Sequence, residues 1–176
     1  MNELFLRKLS LNDENEFCNF VSEQIAHSGA IKGVRIEDGY DFKAFLSKLK
    51  EYENIPFISY EQADYPSYQF VLVRKEDNKI VGAVVVRPRL NKTLFEDYEG
   101  NIGYAISPLE RGKGYAKIAL SLAIEEYKKL NPVSREVYLC CYKENIGSRK
   151  VITGAGGVLV EEIKGVATPQ KYLIKL

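Results

Sequence analysis

This 176-residue chain has no tryptophan, one methionine, one histidine and three cysteines. Each shortage excludes something. A serine or cysteine hydrolase with an imidazole base would have to use His27, which sits in Ala26-His27-Ser28-Gly29, where a helix is expected to end. A solvent-facing imidazole is the expectation there. Cys18, Cys140 and Cys141 are odd in number, two are adjacent, and none has C-x-x-C spacing. Neither a disulfide framework nor a zinc site is indicated, and no metal is expected. Buried thiols, the usual habit of free cysteine, are expected instead. A charge excess is missing too: 25 Lys and Arg against 24 Asp and Glu leave a formal net charge of +1. With no global field to draw it to nucleic acid or membrane, neither is an expected partner. No apolar run approaches the roughly 20 residues that cross a bilayer. The first nine residues mix Glu3, Arg7 and Lys8 with apolar ones, unlike a signal peptide, so the cytoplasm is the expected address.

What is present is an ordinary globular balance, 45% hydrophobic and 28% charged, in a length that suits one domain over 1–176 better than two. Residues 4–9 read as an opening strand. Ser10 to Asp13 offer capping residues for a helix with Phe17, Phe20, Val21 and Ile25 at helical spacing. After breaks at Gly29 and Gly33, Phe42, Phe45, Leu46 and Leu49 mark a second helix that stops before Asn54. Residues 69–75 and 79–87 are β-branched runs joined by Glu76-Asp77-Asn78, a hairpin signal. Residues 91–100 read as a polar loop and 101–107 as a strand. The following helix runs to about Leu130, with Ala116, Leu120, Ala123, Tyr127 and Leu130 in one stripe and Glu125 and Lys129 as an i,i+4 pair. A strand over 136–141, a helix capped by Asn145, and strands over 158–163 and 172–176 complete the order β-α-α-β-β-β-α-β-α-β-β. This is an α/β (α+β) pattern, a central mixed sheet with helices on both faces.

The segment that points to chemistry is Arg111-Gly112-Lys113-Gly114-Tyr115-Ala116, between a strand and a helix. A helix N-terminus has unpaired amides and a partial positive charge, so it suits an anion. Glycines at 112 and 114 let successive amides converge, and Arg111 and Lys113 add cationic donors. The expected ligand is a phosphate or diphosphate. A P-loop is a poorer fit, because Gly114 rather than Ser or Thr follows Lys113. A dinucleotide fingerprint would need glycine at Lys117. A tight turn whose glycines serve geometry alone is the other reading of this spacing.

Residues 101–108, Asn-Ile-Gly-Tyr-Ala-Ile-Ser-Pro, followed by Glu110 to Ala116, resemble motif A of the GNAT superfamily of N-acetyltransferases, with Arg111, Gly114 and Ala116 at its defining positions. The stretch from Asn145 to Ile152 resembles the motif after the next strand, and the element order agrees over nearly the whole chain. The resemblance implies a mostly antiparallel sheet of about seven strands and acetyl-CoA as co-substrate. It implies that amides of Arg111, Gly112, Lys113, Gly114, Tyr115 and Ala116 hold the pyrophosphate. Backbone around Ala105, Ile106 and Ser107 would pair with the pantetheine arm, and Asn145 and Ser148 would face the pantetheine or thiol end. Acetyl transfer would proceed by direct attack of an amine in a ternary complex.

The sequence departs from the family at one catalytic position. Many relatives carry tyrosine seven residues after the motif asparagine, and this chain has Ile152. Tyr142, after the strand that the resemblance expects to splay beside the thioester, and Tyr104, on the opposite side of that splay, are the substitute candidates for the general acid, and Glu99 for the base, with a water chain as its alternative. Segment 29–54 and loop 87–100 are expected to frame the acceptor, a small-molecule or peptide amine; Arg87, Arg89, Glu96, Asp97 and Glu99 either recognise its charge or form a solvated rim. A homodimer is plausible for the family. A non-catalytic acyl-CoA-binding module and an unrelated phosphate-binding domain are the competing readings.

Overall fold

A computed structural model gives the fold, and the structure describes residues 3–29, 41–96, 99–163 and 168–176. Gly33 and Asp97, both singled out above, lie outside the described residues. β1 (Leu4–Arg7) leads through a short 3-10 turn to α1 (Glu14–Ser28), and α2 (Phe42–Glu53) precedes the hairpin β2 (Tyr68–Arg74) and β3 (Lys79–Val86). The hairpin turn needs a left-handed residue and has Asn78 there, at φ 55°, a conformation asparagine tolerates better than most. The expected polar loop contains one turn and a half of helix, α3 (Lys92–Glu96), which Asn91 opens by accepting the Leu94 amide at 2.9 Å. β4 (Ile102–Ile106), α4 (Tyr115–Leu130), β5 (Glu136–Tyr142), α5 (Ile146–Gly154), β6 (Val158–Glu162) and β7 (Pro169–Lys175) follow.

The seven strands form two sheets, β1-β2-β3-β4 and β5-β7-β6, and every ladder is antiparallel. β4 and β5 are joined by the crossover through α4 and share no ladder. The central strands β2 and β3 are buried on both faces, which is why they read as near-continuous apolar runs. One face packs Leu72, Val81, Val84 and Val86 against Leu120, Ala123, Leu139 and Ile152. The other packs Val71, Val73, Ile80 and Ala83 under Phe17, Phe20, Phe42 and Phe45, whose rings lie about 6 Å apart. Within the expected α4 stripe, Leu120, Ala123 and Tyr127 are buried and Ala116 and Leu130 half-buried; Ala119, fully buried, joins them and lets the helix lie close to the sheet.

Three local expectations change. The ion pairs on α4 are Glu125–Lys128 and Glu126–Lys129, one residue shorter in spacing than Glu125–Lys129. Cys18 is exposed, because the buried stripe of α1 runs through Phe17, Phe20 and Gln24; Cys140 and Cys141 are half-buried. The last strand begins at Pro169, so its first residues extend the ladder opposite Tyr142 and Cys141. His27 is exposed, as expected. No described helix is long and apolar enough to cross a membrane.

Candidate active site

The two sheets meet at one point and then part. Asn101, 4% exposed, donates its amide to the Tyr138 carbonyl at 2.7 Å and accepts the Tyr138 amide on its side chain at 2.9 Å. Gly100 fits there for lack of a side chain: a Cβ would stand 2.7 Å from the Tyr138 carbonyl oxygen and 2.8 Å from the Leu139 Cα. Beyond this junction β4 and β5 continue with no ladder between them, leaving a wedge with a backbone edge on each side.

Alternation decides which β4 groups face the wedge. Ser107 donates its amide to the Val81 carbonyl, so Ser107, Ala105 and Gly103 turn their backbone groups toward β3. The groups facing the wedge are those of Ile102, Tyr104 and Ile106. Of the three residues expected to meet the pantetheine arm, Ile106 alone faces outward, and its carbonyl already accepts from Gln24 Nε2 at 2.8 Å and Arg111 Nε at 3.3 Å. Tyr104 takes the central place on that edge.

At the mouth of the wedge the chain passes through Pro108–Glu110 and the exposed loop 111–114 into α4. Gly112 and Gly114 hold φ of 81° and 80°, values L-residues avoid. Gly114 is the N-cap of α4 and brings no side chain to the first-turn amides. Nothing lies within 4 Å of where a Cβ would stand at either glycine, so conformation and not crowding demands them. The two cations expected to supplement the amides are already paired within the protein. Arg111 Nη2 also reaches Gln24 Oε1 at 3.4 Å, and Lys113 Nζ binds Glu110 at 2.7 Å. Glu110, 4% exposed, also takes Arg74 at 2.9 Å and Lys79 at 3.5 Å. Burial pushes the Glu110 carboxyl up, but the Lys113 hydrogen bond and the Arg74 charge outweigh it and hold it below its ordinary value. The loop is thus fastened from beneath; the Arg111 amide is given to the Pro108 carbonyl at 3.4 Å, and the amides from Gly112 onward are left as the anion donors.

Gln24, Glu23 and Glu110 complete this framework and were not among the expected site residues. Glu23 accepts the Ser107 hydroxyl, and with Gln24 ties α1 to the end of β4 across more than 80 residues of sequence. A signal existed for Gln24: Phe17, Phe20 and Gln24 stand at i, i+3 and i+7 on an apolar stripe, which puts a polar residue where burial was due.

The expected acids lie on opposite faces. Tyr104 faces α4 and α5, and its hydroxyl donates to Ser148 Oγ at 3.3 Å. Burial raises its pKa to about 12; the Ser148 contact lowers it slightly and Cys141 nearby raises it. Tyr142, 45% exposed, ends β5 on the face shared with Tyr138 and Cys140. Burial likewise pushes Cys140 to about 12 and Cys141 to about 11, which keeps both thiols protonated. Asn145 is spent on capping α5, accepting the Ser148 amide at 3.0 Å. Ile152, at the position where relatives carry tyrosine, is 1% exposed in the α4-side core, with Gly157 closed tightly over it. Glu99 projects half-exposed and pairs with the buried Arg87 at 3.1 Å. A cavity of about 500 Å³ opens at the foot of the junction, lined by Phe57, Tyr60, Arg89, Tyr127 and Tyr138 among others. Among the described residues, no three His, Cys, Asp or Glu side chains gather to hold a metal ion.

No curated protein matches the chain by sequence. Solved structures match its fold over nearly its whole length. The ribosomal-protein-S5-alanine acetyltransferase from Vibrio fischeri superposes with a TM-score of 0.74 at 19% identity, covering 99% of this chain and 94% of that one. The microcin C7 self-immunity acetyltransferase MccE, solved with acetyl-CoA and AMP, gives 0.70 at 15% identity, covering 100% and 94%. The acetyltransferase yncA from Salmonella typhimurium, solved with acetyl-CoA, gives 0.67 at 13% identity, covering 99% and 94%. The sequence profile of the acetyltransferase (GNAT) domain matches residues 3–158. A glycine loop opening a helix beside a strand wedge therefore sits in a matching sequence and a matching fold, and the chain belongs to the GNAT acetyltransferase family.

Proposed function

We propose that this protein transfers the acetyl group of acetyl-CoA to a primary amine in the cytoplasm, by direct attack in a ternary complex. The observation that carries the reading is the uncapped N-terminus of α4, with its two left-handed glycines, at the mouth of the wedge. Of the expected amides of residues 111–116, those of 112–116 hold the pyrophosphate, since the Arg111 amide is given to the Pro108 carbonyl. The pantetheine arm adds as a strand to the edge formed by Tyr104 and Ile106, and the thioester lies near Tyr104 and Ser148. The acetyl-CoA seen with MccE and yncA supports the choice of cofactor.

In the reaction the amine nitrogen forms a bond to the acetyl carbon and the carbon–sulfur bond breaks. The nitrogen loses one proton and the departing thiolate gains one. A phenol near 12 gives up its proton less readily than an ordinary thiol near about 8.5. Tyr104 therefore donates a hydrogen bond to the sulfur as charge builds there, and the proton itself arrives through solvent. Tyr142, on the other face and half exposed, is the alternative donor. Glu99 takes the amine proton directly or through water. Much of the acceleration comes from positioning the two reactants, which needs no special side chain.

The acceptor is a small-molecule or peptide amine; the likeness to a ribosomal-protein-S5-alanine acetyltransferase supports a protein or peptide amine as one member of that class. A second reading, an acyl-CoA sensor without turnover, is favoured by one observation: core packing fills position 152. An amine-library screen that follows CoA release separates the two. Turnover with any amine above the hydrolytic background supports the transferase, and saturable acetyl-CoA binding with no turnover supports the sensor.

A further inference from the structure

The sheet face opposite α4 carries a row of charged side chains that neither the core nor the cofactor site uses. In strand order it runs from Arg87 after β3, through Glu99 before β4 and Cys140 on β5, to Lys171 on β7 and Glu161 on β6. Cys140 and Lys171 are cross-strand partners, and Lys171 and Glu161 are the next pair outward. The cations in this row are buried and the carboxylates are not. The side chains of Arg87 and Lys171 are 8% and 2% exposed, against 50% and 47% for Glu99 and Glu161.

Arg87 is the informative member. Its Nη1 donates to the Gly100 carbonyl at 2.9 Å, its Nη2 meets Glu99 at 3.1 Å, and its buried Nε has no partner. Nε and Nη2 form the edge of a guanidinium that grips an oxyanion through two parallel bonds. Here one of those donors is an orphan, which is costly in a buried place. The other is met by a carboxylate that half faces solvent and is readily exchanged. The head group also sits at the junction that closes the wedge, since Gly100 packs against the Tyr138–Cys140 backbone.

We propose that Arg87 anchors an oxyanion carried by the acceptor, with Glu99 holding the place until it arrives. The acceptor is then a short amine bearing a carboxylate or phosphate. The Arg87 backbone stands opposite Asn101, three residues along β4 from Tyr104, which is roughly 10 Å of strand; its long side chain and a short acceptor together span that distance. This rests on the transferase reading and narrows its substrate class.

The test compares matched amines: glycine with glycinamide, and 2-aminoethyl phosphate with ethanolamine, with rates referred to the free-amine concentration. The wild-type protein is expected to favour the oxyanion-bearing member of at least one pair by tenfold or more in kcat/KM. Arg87→Met should bring that ratio near one with the Kd for acetyl-CoA unchanged, and Arg87→Lys should keep part of it. Whichever pair shows the preference identifies carboxylate or phosphate. A wild-type ratio near one in both pairs, or a preference that survives Arg87→Met, overturns the proposal. The Arg87 Nε–H resonance, assigned by its loss in Arg87→Lys, gives a readout without turnover or a Met variant. It should shift with glycine or 2-aminoethyl phosphate and not with the neutral partners. No shift with either oxyanion also overturns the proposal, whereas absence of acetyl-CoA binding by calorimetry counts against the transferase reading itself.

Discussion

Two helices begin beside the wedge, and they are finished differently. α5 starts at Asn145, whose side chain accepts the Ser148 amide, so the helix satisfies its own first turn. α4 starts at Gly114, which has nothing to offer, after a loop whose glycines hold left-handed φ. Both ends carry the same backbone dipole. What separates a structural helix start from an anion site is whether the protein has already supplied the acceptor. The side chains around α4 follow the same logic: Lys113 and Arg111 are tied to Glu110, Gln24 and the Ile106 carbonyl, which fixes the loop and leaves the amides from Gly112 onward for an outside ligand.

The sharpest way to break this contrast is a charge at the bare end. Gly112→Asp is expected to weaken acetyl-CoA binding at least a hundredfold, about 2.7 kcal/mol, because its carboxylate stands where the pyrophosphate belongs. Gly112→Asn has the same shape and tolerates the left-handed conformation, so it should lose less than tenfold in the same titration. Equal losses would assign the effect to backbone strain. Gly100→Ala attacks the junction that both helix starts depend on. Its Cβ would meet the Tyr138 carbonyl, and overpacking of that kind costs about 1–3 kcal/mol, read as a lower urea midpoint.

Tyr104→Phe should lower kcat about tenfold to a hundredfold, at or below the low end of what acid–base groups supply because it lends a hydrogen bond and not the proton, with little change in acetyl-CoA affinity. The pH profile sharpens the same point. A phenol raised to about 12 stays protonated at every pH below that value. The wild-type rate should therefore rise as the acceptor amine loses its proton and show no falling limb near pH 10; a break there would contradict the role given to Tyr104. The smallest effect belongs to the capped end. Asn145→Ala should cost about 1 kcal/mol of stability by thermal melting and leave the cofactor Kd nearly unchanged.

Much of this was legible in the chain because it is local. Glycines at 112 and 114 after a strand and before an apolar stripe state a helix start without a cap, and Asn145 states one with a cap. The doubly buried strands β2 and β3 announced themselves as unbroken β-branched runs. The split of the sheet came only through the family resemblance, since a wedge is a missing ladder, and no residue pattern in β4 or β5 itself marks pairing that does not occur. The bracing of the loop was equally hidden, because Glu110, Arg74 and Gln24 come together from distant elements. Nothing in the residues around Glu110 marks it for burial, which follows only from the turn that folds it under Arg74 and Lys79. That the backbone groups of Ala105 turn toward β3 was hidden for a different reason: which edge a strand presents depends on its register with β3, a long-range fact.

The most direct test of the central claim is a pair of calorimetric titrations, one with acetyl-CoA and one with S-acetyl-pantetheine, which keeps the thioester and lacks the pyrophosphate. If the bare end of α4 holds the pyrophosphate, acetyl-CoA binds in the micromolar range, about 8 kcal/mol, and acetyl-pantetheine at least a hundredfold more weakly. Equal affinities, or no acetyl-CoA binding by folded protein, would contradict the account.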